Sequence, residues 1–128
     1  MKKLSIAVLA LALIFSLDAC GPKHVNHPGA ANTFDSDSYD ALLVTDQVIK
    51  TTKDELAAGK FPGTLADKVR TVLNDLIRGY NVADNAYKEY HAAALAGTAT
   101  TEQSNAVTNS LAQMKTETAA LAAVKAGQ

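Results

Sequence analysis

LADKVRTVLNDLIRGYNVADNAYKEYHAAALA, residues 65–96, is the stretch that decides the fold. Leu65, Val69, Val72, Leu76, Tyr80, Ala83, Tyr87, Tyr90 and Ala94 recur in it at spacings of three or four. That rhythm keeps them on one face of an α-helix and leaves Lys68, Asp75, Arg78 and Lys88 off it. At 1.5 Å per residue the helix is roughly 45 Å long. Thr64 offers an N-cap, with Asp67 three residues on as a short version of a capping box. Gly97 ends the pattern. Gly79 interrupts it and costs about 1 kcal/mol relative to Ala, which points to a close approach by a neighbouring helix or to a slight bend.

Working outward, two more helical patterns flank the long one. The first is expected to start near Ser36 or Asp37, where Asp35-Ser36-Asp37-Ser38 supplies capping side chains and acids for the positive end of the dipole. Its stripe is Leu42, Thr45, Ile49, Thr52 and Leu56, with Asp46 and Lys50 paired on the outer side. Gly59 reads as its terminator, and Phe61-Pro62-Gly63 forces a turn. The last pattern opens at Thr100, with Gln103 completing a capping box. Its stripe is Val107, Leu111, Met114, Thr118 and Leu121, and it is expected to fray from Val124. Short loops at 59–64 and 97–100 make successive helices antiparallel. The expected fold is all-α, an up-down-up three-helix bundle over residues 35–128.

The whole chain has 128 residues, 12 basic and 13 acidic, with no Trp and 5% aromatic residues. Its core must be made of Leu, Val, Ile and much Ala, so it is thin and marginally stable. No basic field is available to hold a nucleic acid. Cys20 is the only cysteine, which rules out an intrachain disulfide and a cysteine metal cluster.

The N-terminus carries an address. Lys2 and Lys3 precede LSIAVLALALIFSL, an apolar run at residues 4–17. It is too short for a comfortable membrane span, which needs about 20 residues, but it suits the hydrophobic region of a signal peptide. Leu17-Asp18-Ala19-Cys20 resembles the lipobox of bacterial lipoproteins, with Leu17, Ala19 and Cys20 matching and Asp18 departing from the usual small or apolar residue. The resemblance covers only this N-terminal segment. It implies a signal peptide over residues 1–19, cleavage before Cys20, and a diacylglycerol on its thiol. It also implies acylation of the new amino group by a chain such as palmitate. An uncleaved anchor and an ordinary cut after Ala19 are the competing readings, although Leu17 is large for the latter. Gly21, where aspartate would favour inner-membrane retention, favours the periplasmic side of the outer membrane in a cell that has one. Removing residues 1–19 takes away Lys2, Lys3 and Asp18 and leaves 10 basic and 12 acidic groups, a net charge of −2.

Residues 21–34, GPKHVNHPGAANTF, follow Cys20 and read as a flexible leash of at most roughly 45 Å. His24 and His27 lie in it, three apart, but too few further ligands accompany them for a metal site. A solvated linker is the expectation.

Tyr80, Tyr87, Tyr90 and His91 gather in the second half of the long helix. They are candidates for a groove that binds a small ligand or a glycan, because tyrosine joins an apolar ring to a hydrogen-bonding tip. The plainer reading has the tyrosines filling the bundle where the last helix offers small residues, with hydroxyls at the rim and His91 on the surface. Asp54, Glu55, Asp75, Asp84 and Glu89 scatter over helix faces, and no catalytic, phosphate-binding or zinc signature accompanies them. The expectation is a non-enzymatic, lipid-anchored domain without cofactor or metal. It would contact another envelope protein or, through its Ala- and Thr-rich seams, further copies of itself.

Overall fold

The computed structural model of the chain describes residues 26–127. The signal-peptide, Cys20 and His24 expectations fall outside these residues. Three α-helices run in order: α1 over Thr33–Ala57, α2 over Thr64–Leu95 and α3 over Thr101–Lys125. They form the expected up-down-up bundle. Strands are absent among the described residues. Here too, no helix is long and apolar enough to cross a membrane.

The core follows the three stripes. Leu42, Thr45, Ile49 and Thr52 of α1 face Val69, Leu76, Ala83, Tyr87 and Tyr90 of α2, with Val107, Met114, Thr118 and Leu121 of α3 closing the interior. Leu73, off the predicted stripe, is buried as well. The reason is position: α2 is the middle helix, packed against both neighbours, while α1 and α3 touch each other little. A helix with partners on two sides buries a wider arc than one seam.

Small hydroxyl residues fill the interior where larger apolar ones are missing. Ser38 donates to the Phe34 carbonyl, Thr45 to Ala41, Ser110 to Ala106 and Thr118 to Met114. Each hydroxyl is thereby satisfied on its own helix, one turn back, and its methyl or methylene faces the core. Gly79 is the close approach that its place in the helix suggested. A Cβ there would collide with Oε2 of Glu117 on α3.

Helix ends hold three corrections. α1 starts at Thr33, capped by Asn32, whose side chain accepts from the Asp35 N–H. It therefore takes in Thr33 and Phe34, which the sequence assigns to the linker, and Asp35 becomes a first-turn residue. α2 is preceded by Gly63, with φ of 52° and no side-chain cap, so Thr64 is its first residue and not its N-cap. α3 does not fray at Val124: it continues through Lys125, and Gly127 turns the chain with φ of 82°. The Thr100–Gln103 capping box is formed in both directions. The ends of α1 and α2 share a Schellman pattern. Lys60 donates to the Glu55 carbonyl and Gly59 to Leu56, and likewise Thr98 donates to Ala93 and Gly97 to Ala94. Gly59 and Gly97 supply the left-handed residue this needs, with φ of 68° and 71°.

Candidate functional site: the chain-entry end of the bundle

The antiparallel order brings the start of α1, the end of α2 and the segment that leads into the bundle to one end. Asp35 lies at the centre of that end and is fully buried. Its carboxylate collects two donors. The Ala31 N–H donates at 2.7 Å, and His91 Nδ1 lies 2.8 and 2.9 Å from the two oxygens. The Tyr87 hydroxyl lies beside this pair, 3.5 Å from His91 Nδ1. A carboxylate only accepts, so the proton on the His91 ring sits on Nδ1 and Nε2 points away from Asp35. Two donors in a shielded place, at the positive end of the α1 dipole, offset the cost of burying the carboxylate.

Tyr87 carries the electrostatic signature of this arrangement. Burial, then the Asp35 charge, then the hydrogen bond to Asp35 push its phenol up to about 12. Tyr80, farther down α2, is also raised, first by burial and then by Asp84 and Asp46. Tyr90 is buried too, and its hydroxyl accepts from the Asn32 side-chain amide at 3.0 Å. Phe34 meets the Tyr90 ring edge-on at 5.0 Å, a favoured aromatic geometry. The candidates Tyr87, Tyr90 and His91 are thus brought together, and Tyr80 stands apart from them. The Tyr90 hydroxyl and His91 Nδ1 are engaged by this chain's own groups, and a ligand would have to displace those bonds. His91 is not the surface residue that the packing reading assigned. Its side chain is 30% exposed and tied to a buried carboxylate on another helix.

The segment before α1 is likewise more than a solvated linker. The His27 N–H donates to Ser36 Oγ at 3.0 Å, and its ring lies 4.3 Å from that of Tyr39. His27 Nδ1 is 3.0 Å from the Pro28 carbonyl, so it acts as the donor, and Nε2 is buried without a hydrogen-bond partner. Together with Ala31 and Asn32 these contacts strap residues 26–32 across the helix ends. Sequence reasoning offered Asp35 only as a capping acid. Its partner His91 is 56 residues away, so no local spacing connects the two. A carboxylate next to three small polar residues was the one available signal.

At the opposite end, Glu55 of α1 pairs with Lys60 at 2.6 Å and also with Lys125 of α3. Burial alone would raise its carboxyl, but the hydrogen bonds to Lys125 and Lys60 outweigh it and hold the group below the usual range. Lys125 also reaches the Thr52 hydroxyl at 3.4 Å and stands 5.9 Å over the Phe61 ring. The remaining ion pairs, such as Arg70 with Asp67 and Lys88 with Asp84, lie on exposed faces. Among the described residues, no group of three or more His, Cys, Asp or Glu side chains is placed to hold a metal ion. No family model, no curated protein and no solved structure matches this chain.

Proposed function

We propose that this is a small lipid-anchored protein of the bacterial cell envelope, whose helical bundle acts by contact with another protein and not by catalysis. The observation that carries the reading is the order of the N-terminal sequence: two lysines, an apolar run, Ala19, Cys20, then a proline- and glycine-containing segment. Only a thiol can form the thioether that such processing needs. More than one acyl chain on Cys20 makes attachment stable, since a single chain binds marginally. By the resemblance to lipoproteins, Gly21 favours the outer membrane of a cell that has one, with the bundle on its periplasmic side.

The domain behind the anchor supports the contact reading through its chemistry. Its titratable side chains pair with each other and hold helices together, as Asp35 and Glu55 do. The test is mass spectrometry of the mature N-terminus together with a crosslinking pull-down from native envelope. Cys20→Ser is expected to give uncut or unanchored protein with an unchanged helical domain. Asp18→Ala is expected to keep the anchor and to speed maturation. An intact Met1, or an unmodified Cys20 at the chain start, would overturn the reading.

A further inference from the structure

We infer that residues 26–32 are a strap that shortens the leash and seats the chain-entry end of the bundle against zwitterionic lipid headgroups. This rests on the lipid anchor at Cys20 proposed above. Four contacts fasten the strap. The His27 N–H binds Ser36, the His27 ring lies on Tyr39, Ala31 donates to Asp35, and the Asn32 amide reaches Tyr90. They bind it to both α1 and α2.

The consequence is a matter of reach. A free leash over residues 21–34 would let the bundle stand roughly 45 Å from its anchor. With the strap in place, only residues 21–25 separate Cys20 from Asn26, a span of at most about 20 Å. The end that the strap crosses is therefore the end held near the bilayer, and the α1–α2 turn is the end that can point outward.

The surface near the strap suits that position. Large apolar side chains are exposed there: Tyr39 at 37%, Leu43 at 50% and Leu95 at 59%. Tyrosine is enriched at headgroup depth, and leucine is common on surfaces that lie against the interface. Among the described residues the same end is acidic. Asp40, Glu89 and Glu102 lie on its exposed faces, and the one lysine described there, Lys88, is paired with Asp84. Like charge disfavours contact with anionic lipid, so the matching surface is a zwitterionic one. This is the reverse of a polybasic membrane segment, which anionic lipid recruits.

The chain itself supplies a clean way to test this. Cys20 is the only cysteine and is blocked by its lipid, so an added cysteine takes a fluorophore at one place. Ala92→Cys marks the chain-entry end and Ala57→Cys the other, both at exposed positions about 40 Å apart along the bundle. The lipidated protein is placed in phosphatidylcholine vesicles that carry a headgroup acceptor dye. Energy transfer is expected to be strong from position 92 and weak from position 57. Adding phosphatidylglycerol is expected to reduce the transfer from position 92. Freeing the strap with His27→Ala and Asn32→Ser, which keeps a capping side chain, should reduce it too. Inserting about ten Gly and Ser residues after Gly21 should do the same without touching the fold, because it extends the reach by up to roughly 33 Å. Equal transfer from the two positions, insensitivity to the insertion, or tighter approach on phosphatidylglycerol would each overturn the seating. Protein found in the aqueous fraction with an unmodified Cys20 would overturn the anchor, and the seating with it. Hydrogen exchange then judges the strap separately: a slow Ala31 N–H upholds it, and a fast one removes it.

Discussion

The two ends of the bundle are each tied by a carboxylate, and the ties are not equivalent. At the chain-entry end the carboxylate is Asp35, short and fully buried, held by a backbone N–H and a histidine. At the turn end it is Glu55, part-exposed and held by two lysines, one of them largely in solvent. Short side chains and backbone groups lose little freedom on pairing, whereas lysines lose much. Water screens the Lys60 arm of the second tie most, since that lysine is 62% exposed. The comparison teaches that an ion pair counts by how far it is desolvated and pre-organised, and the two ends of one small domain show both regimes.

The strongest way to break this asymmetry is Asp35→Ala. It strands the Ala31 N–H and the His91 ring and frees the strap. The expected loss is about 3 kcal/mol, at the lower end for a buried pair because His91 is partly exposed. Chemical denaturation measures it, and a loss below that of Glu55→Gln would reverse the comparison.

Alkaline titration sharpens it next. The Tyr87 phenol is raised to about 12 in the folded protein, against an ordinary value of 10. Its neutral form is thus favoured by folding. The contribution is complete below pH 10 and is lost as the pH rises through 12. Phenolate absorbance should show one tyrosine titrating about two pH units late, and Tyr87→Phe should remove that step.

Glu55→Gln follows, with an expected loss of about 1 kcal/mol at neutral pH. Its carboxyl is lowered from 4.5, so the unfolded chain takes up this proton first as pH falls. The stabilisation is present above 4.5 and lost as pH drops through the folded value, so the variant should lose less stability on acidification than the parent.

Between the two ends lies Gly79. Gly79→Ala gains about 1 kcal/mol of helix propensity but displaces the Glu117 carboxylate. The stabilisation should appear in full only beside Glu117→Ala, which a double-mutant cycle reads. The smallest effect belongs to Arg70→Ala. Arg70 and Asp67 are 57% and 77% exposed, and the change in stability should stay below about 0.5 kcal/mol.

The sequence by itself determined the three helices, their antiparallel order and most of the core, because periodicity and glycine stops are local. Leu76 and Met114 had to be inside once their stripes were recognised. The same local rules placed Gln103 opposite Thr100 and Asp46 beside Lys50. The proposed lipid-attachment motif is likewise read from consecutive residues. The tertiary structure alone decided that α2 buries Leu73 on a second side, that Glu117 covers Gly79, and that Asp35 meets His91 across 56 positions. It also decided that a segment reading as a loose leash is strapped to Tyr39 and Tyr90. The physical reason is the same throughout. Repeat spacing says which face of a helix is apolar, but only the packing of two helices and a loop fixes which polar atoms are cut off from water and must find each other.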